Sequence, residues 1–287
     1  MDARVQMLDQ FEALTPRMQS AVRFIVDHPN EVVINSMRAL ADKAGAQPAT
    51  LVRLAQQLGY AGWPELKTAF AQDLGLNSGS YGQRAKSLTQ RSQTQDLASE
   101  LFAVQRANLA ATESGAGPHL RTASRLLKKA RSVHVAGFRA SYPVSFALFY
   151  GYRLFRNAVH LMDGRAAGLE TQLRAIEHSD AVVVVSFAPY SREAVQVAEH
   201  TKAVGATLIA VTDSGASPPA LLADTVLQFA VESPSFFPSV ASGVALVEAL
   251  LEQLVADGGD AVVSHIEEVE QQLFASGAYM RPAKRRS

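Results

Sequence analysis

Ser36-Met-Arg-Ala-Leu-Ala-Asp-Lys-Ala-Gly-Ala-Gln-Pro-Ala-Thr-Leu-Val-Arg-Leu-Ala-Gln-Gln-Leu-Gly59 reads as two short helices joined by a tight turn. Met37, Leu40, Ala41 and Ala44 recur at the i, i+3, i+4, i+7 spacing of a buried helical face. Ser36 is suited to cap that helix, and Gly45 to end it. Pro48 stands where a first helical turn tolerates proline, and Leu51, Leu54 and Leu58 form the next apolar stripe. Thr50, Arg53 and Gln57 fall on the opposite face. A polar helix presented after a helix–glycine–helix turn is what base reading in the major groove requires. Helix pairs joined by glycine also occur in all-α domains that touch no nucleic acid, so spacing alone leaves both readings open.

Length and composition narrow the field. A chain of 287 residues is comfortable for two domains, and 48% apolar with 19% charged residues is ordinary for a globular protein. The absence of cysteine excludes disulfides, thiol catalysis and thiolate metal sites. No two of the seven histidines have helical metal-site spacing, so neither a metal nor a cofactor is expected. No signal peptide and no apolar run of membrane-spanning length is visible, which points to a cytoplasmic protein without membrane contact. Net charge is zero but unevenly spread. Residues 1–77 carry seven Lys/Arg against eight Asp/Glu, residues 78–130 eight against three, and residues 131–287 twelve against sixteen. The DNA-reading candidate is therefore not basic overall, and its grip would rest on local cations such as Arg38, Lys43, Arg53 and Lys67 and on two copies acting together.

Along the chain, a helix opening at Thr15-Pro16 turns Met18, Val22, Ile25 and Val26 to a core and stops at His28-Pro29. A further helix starts at Trp63-Pro64 and runs to about Leu74, and Asn77-Ser-Gly-Ser80 marks a boundary. Residues 92–113 suit a connecting helix closed by Gly115-Ala-Gly-Pro118. From residue 131 short apolar runs (132–136, 159–162, 181–186, 207–211 and 225–229) alternate with helical stretches, the pattern of a five-stranded parallel sheet covered by helices. The expected layout is an all-α helix-turn-helix domain over 1–77, a linker with a connecting helix over 78–118, an α/β domain over 119–260, and a C-terminal helix with a basic tail over 261–287.

Ligands of parallel sheets bind at the carboxyl ends of the strands. Two loops lie there: Gly137-Phe-Arg-Ala-Ser141, and Ser186-Phe-Ala-Pro-Tyr-Ser-Arg-Glu193. Hydroxyls of Ser141, Ser186, Tyr190 and Ser191 beside helix starts suit a small anion such as a phosphate. Ser191 serves equally well as a plain helix cap. His134 lies inside a strand, where a structural role is the simpler expectation.

The two halves together resemble bacterial transcription regulators of the RpiR/MurR type, which join a helix-turn-helix domain to a sugar isomerase (SIS) domain. The resemblance rests on Ser36-Met-Arg-Ala-Leu-Ala, Ala49-Thr50-Leu-Val-Arg53 and Leu58-Gly-Tyr-Ala-Gly-Trp-Pro-Glu-Leu-Lys67. In the second half it rests on Ala210-Val-Thr-Asp-Ser214 and Ser217-Pro-Pro-Ala-Leu-Leu-Ala-Asp224. It implies sensing of a phosphosugar or a related metabolite, with control of genes for carbohydrate metabolism. The ligand loops depart from the family's pattern. Arg139 replaces the second glycine of Gly-x-Gly-x-Ser, and Ala188-Pro189 replaces the Ser-Gly pair of Ser-x-Ser-Gly-x-Thr-x-Glu. The loss removes a hydroxyl and a backbone donor from the usual cradle. Arg139 is placed to meet the ligand's phosphate or carboxylate, to fill the pocket, or to pair with Glu193.

The leading expectation is a DNA-binding regulator, not an enzyme, acting as a homodimer or homotetramer on double-stranded operator DNA. Ser36, Arg38, Gln47, Thr50, Arg53 and Gln57 are its expected DNA contacts. Gly137, Arg139, Ser141, Ser186, Tyr190, Ser191 and Glu193 are its expected contacts to a small anionic, phosphosugar-like metabolite. The competing expectations are a sugar-phosphate aldose–ketose isomerase using Glu193 as base, and a binding module that does not touch DNA.

Overall fold

The computed structural model describes residues 3–27, 31–32, 36–73, 81–91, 96–165 and 168–280. The helix stop at His28-Pro29, the Asn77–Ser80 boundary, the onset of the connecting helix at 92–95 and the tail from Arg281 lie outside them. The chain divides into two compact units: residues 1–87 with 188–190, and residues 88–187 with 191–287.

The first unit is helical: α1 (Ala3–Asp9), α2 (Pro16–Asp27), α3 (Met37–Lys43), α4 (Pro48–Gln57) and α5 (Trp63–Asp73). The apolar stripes meet in one core of Met18, Val22, Ile25, Leu40, Leu51, Leu54, Leu66 and Phe70. Helix α1 was not expected. It adds Ala3 and Met7 to this core. Its Gln6 side chain donates to the Leu58 carbonyl at 2.7 Å and accepts from the Tyr60 hydroxyl at 2.9 Å. That link satisfies a carbonyl left open at the end of α4.

Helix α6 (Tyr81–Arg91) leads into α7 (Leu97–Lys129). The connecting helix expected to close at Gly115–Pro118 instead runs on to Lys129 with Pro118 inside it. Residues beyond the proline decide this: Ala123 and Leu127 are fully buried in the core of the second unit, and tertiary packing overrides the local breakers. The stretch 78–118 therefore holds helix, not open linker, over its described residues.

The second unit contains β1 (Val133–Gly137), α8 (Tyr142–Arg153), β2 (Val159–Met162), α9 (Leu169–Arg174), β3 (Ala181–Ser186), α10 (Arg192–Ala203), β4 (Thr207–Thr212), α11 (Pro218–Leu222), β5 (Thr225–Gln228), α12 (Ala241–Gly258) and α13 (Asp260–Ala275). All five strands are parallel, in the order β2-β1-β3-β4-β5. Alternate residues face opposite layers. Val133, Val135, Val183 and Ile209 pack with α7, α8 and α12, whereas Ala136, Val182, Val184 and Leu208 pack with α9 and α10. The near-continuous apolar strands of the sequence follow from burial on both faces. Because β2 and β3 flank β1 on opposite sides, the chain reverses direction there. This order opens its crevice at the carboxyl ends of β1 and β3.

Candidate DNA-reading face and ligand crevice

In the first unit, Ser36 accepts from the Ala39 amide at 3.3 Å and caps α3. The helix closes with Ala46 N–H donating to the Ala41 carbonyl (2.8 Å) and Gly45 N–H to the Asp42 carbonyl (3.2 Å). These two bonds form a Schellman motif around Gly45 at φ +62°. Helix α4 ends the same way at Gly59, with Tyr60 N–H on the Ala55 carbonyl and Gly59 N–H on the Gln56 carbonyl, both at 3.0 Å. Two matched stops thus fix the length and the aim of the reading helix.

On that helix Gln47 and Arg53 are exposed and Thr50 is half-buried, and on α3 Arg38 is exposed. Gln57, although exposed, donates its side-chain amide to the Ala13 carbonyl at 3.2 Å. It is therefore fastened to the turn before α2. Lys43 is held by Glu31 at 2.7 Å. A cleft of about 460 Å³ separates the first turn of α4 from the start of α2, with Arg17 on its far wall. Arg17 was not among the expected contacts. Thirty residues of sequence separate it from Gln47, and periodicity marks it only as a solvent-facing position.

In the second unit, Gly137 ends β1 against α8. A Cβ at that position would collide with the Ser145 side chain, so only glycine admits this approach. The chain then makes a 3₁₀ turn, Arg139–Ser141, with Arg139 at φ +53°. It is the one non-glycine residue with positive φ among the described residues. Where the family pattern has glycine, this chain holds an arginine in the left-handed region. Arg139 reaches across the β1/β3 crevice to Glu193 at 2.8 Å, in the first turn of α10. The Glu193 carboxyl lies below its ordinary range. Its own backbone N–H at the helix start contributes most, then the Arg139 guanidinium and the Ser191 hydroxyl, against the opposing effect of burial. Of the three expected roles for Arg139, pairing with Glu193 is the one observed.

Ser191 accepts from the Ala194 amide at 3.2 Å, so its hydroxyl caps α10. Ser141 and Ser186 are buried at the carboxyl ends of neighbouring strands, and their hydroxyls bond to no described atom. Neither hydroxyl oxygen is itself shut off from solvent, so both are open to a partner. At the end of β4, by contrast, the Thr212 hydroxyl donates to Ser217 Oγ at 2.9 Å. Within this unit the structure brings together Gly137, Arg139, Ser141, Ser186, Ser191 and Glu193. Tyr190 is half-buried and is grouped with the first unit.

At the opposite end of the sheet, Asp180 is fully buried beneath Arg131 (3.1 Å) and His134 (3.3 Å). Burial pushes the His134 pKa down, while Asp180 opposes that shift. His134 is thus a structural histidine, as its place in a strand implied. Among the described residues no three His, Asp or Glu side chains are arranged to hold a metal ion. No described helix is long and apolar enough to cross a membrane.

Comparison with known proteins agrees with this division. Residues 1–76 match the model of the rpiR-family helix-turn-helix domain, and residues 126–256 match the SIS domain. The HTH-type transcriptional regulator HexR of Pseudomonas aeruginosa is 25% identical over 212 residues, 73% of each chain. The sugar isomerase domain of an RpiR transcription factor from Sphaerobacter thermophilus aligns with a TM-score of 0.59 at 25% identity, over 62% of this chain and 99% of that one. Vibrio vulnificus NanR, solved in complex with ManNAc-6P, shares the fold at a TM-score of 0.60 and 19% identity, over 96% of this chain and 100% of that one. With an rpiR-family reading domain followed by a SIS domain, the chain belongs to the RpiR-type transcription regulators.

Proposed function

We propose that this regulator binds a (pseudo)palindromic operator as a homodimer or homotetramer in the cytoplasm, and that a phosphosugar-like anion governs that binding. In this reading residues 1–77 form the DNA-reading domain, 119–260 the ligand domain, 78–118 their connection, and 261–287 a terminal helix and tail. Gln47, Thr50 and Arg53 contact bases or phosphates, and Ser36 and Arg38 position α3 on the backbone. Gln57 steadies α4 through Ala13 in addition to any contact with DNA. The regulated genes belong to carbohydrate metabolism.

The observation that carries the ligand half is the crevice at the β1/β3 switch point. There lie a guanidinium, its acid partner and the unbonded, solvent-open hydroxyls of Ser141 and Ser186. The ligand identified with NanR is a sugar phosphate, which suits donors of this kind. Gly137, Arg139, Ser141, Ser186, Tyr190, Ser191 and Glu193 are the residues assigned to it. Glu193 is poorly suited to be the base of an isomerase. A general base works best near the operating pH, whereas this carboxyl is ion-paired and shifted downward. In this reading the protein is a sensor and not an enzyme.

Selection of bound duplexes from genomic fragments, followed by titration with sugar phosphates, tests both halves. Arg53→Ala is expected to abolish preference for the selected duplex while the domain stays folded. A sugar phosphate that binds is expected to change DNA affinity by the same factor by which DNA changes its own. Full operator preference in the Arg53→Ala protein would refute the assignment of α4 as the reader.

A further inference from the structure

The reading domain must grip a polyanion with few free cations. Residues 1–77 hold seven Lys/Arg against eight Asp/Glu. Lys43 is bound to Glu31, and Arg23 lies over the Phe11 ring at 5.2 Å. Arg4 and Lys67 are also engaged. Among the described residues this leaves Arg17, Arg38 and Arg53 without a partner. Arg38 and Arg53 sit on the helix-turn-helix itself, whereas Arg17 sits at the start of α2 and is exposed.

Arg17 and Ser20 form one wall of the 460 Å³ cleft, and Gln47 and Thr50 form the other, with Gly45-Ala46 at its base. Among the described residues the lining holds a guanidinium, two hydroxyls and a carboxamide, and no carboxylate. In a domain whose acids outnumber its bases, a cleft with no described acid and an unspent guanidinium beside the reading turn favours an anion. The cavity at the amino end of the sheet illustrates the alternative. Its Arg131 is already held by Asp180 and Glu177.

We propose that Arg17 and Ser20 hold a phosphate of the DNA backbone across this cleft, setting the register in which Gln47 and Thr50 meet the bases. The inference rests on the DNA-reading proposal and adds a positioning contact from outside the helix-turn-helix. Such contacts fix orientation without carrying sequence information.

Anisotropy titrations of the full chain over a range of salt test it, with a selected duplex and an unrelated duplex as probes. For Arg17→Gln the slope of log K against log salt is expected to flatten by about 0.9 per bound subunit, on both duplexes. That corresponds to about an eightfold loss of affinity at 0.1 M salt per subunit, with sequence preference retained. Arg17→Lys keeps the charge and should keep the slope, and Ser20→Ala should weaken binding without altering it. An unchanged slope in Arg17→Gln, or a loss confined to the selected duplex, overturns the phosphate assignment alone. A wild-type chain that binds neither duplex overturns the DNA reading and this inference with it.

Discussion

The turn of the reading domain and the first loop of the ligand domain solve one backbone problem with opposite residues. Gly45 adopts φ +62° and Arg139 adopts φ +53°. The left-handed region costs a residue bearing a Cβ about 1–2 kcal/mol. At Gly45 that cost is avoided, and the result is a helix stop that any sequence reader can anticipate. At Arg139 the cost is accepted, and a guanidinium is thereby placed over the crevice between β1 and β3. Strain retained at such a position is characteristic of sites shaped for binding. The turn was built for a fixed frame, the loop for a side chain.

The largest test of this contrast lies two residues earlier, at Gly137. No positive φ is involved there, and the constraint is space alone, because a Cβ would strike the Ser145 side chain of α8. Gly137→Ala should destabilise the ligand unit by about 1–3 kcal/mol, the usual cost of overpacking, as read by denaturant unfolding. Stability unchanged within error would show that α8 retreats freely from the strand.

Gly45→Ala probes the complementary constraint. No described atom lies within 4 Å of the added methyl, so the backbone conformation is what resists it. The left-handed cost of about 1–2 kcal/mol, less about 0.4–1 kcal/mol from a stiffer unfolded chain, leaves a loss of about 1 kcal/mol. A stabilised Gly45→Ala protein would mean that the Schellman motif has no energetic role in closing α3.

Those two glycines also separate what the residues reveal from what they hide. The reading helices were legible because caps, stripes and stops are local. Ser36, Gly45, Pro48 and Gly59 each act within a few residues of their own position. The five strands were legible because burial on both faces writes itself as unbroken Val, Ile and Leu. At Gly115–Pro118 the local residues point to a helix end, yet α7 continues, since the force that carries it onward comes from Ala123 and Leu127 in a core assembled from distant elements. The Arg139–Glu193 pair spans 54 residues, and no periodicity encodes it. The positive φ at Arg139 was hidden for a simpler reason: the residue type argues against the conformation that it adopts. Only the glycine expected in its place marked the position.

The smallest effect, and the sharpest, comes from replacing that arginine twice. Arg139→Ala keeps a Cβ in the left-handed region and removes the ion pair. Arg139→Gly removes both the pair and the strain. The pair is largely exposed on the arginine side, 74% for Arg139 against 33% for Glu193, so its loss costs about 0–1 kcal/mol. Relief of the backbone offsets that loss by about 1–2 kcal/mol, less about 0.4–1 kcal/mol for the freer unfolded chain. The glycine protein should therefore lie within about 1 kcal/mol of the parent and above the alanine protein in the same unfolding assay. In both variants the Glu193 carboxyl loses one of the contacts that lower its pKa, while its own backbone N–H at the start of α10 continues to hold it down. Both should also respond less to a sugar phosphate, because the guanidinium is gone in each. Stability and ligand response then separate: glycine restores the first and not the second. An alanine protein as stable as the glycine protein would show that φ +53° carries no cost here, and Arg139 would lose its standing as a residue kept for the ligand in spite of the backbone.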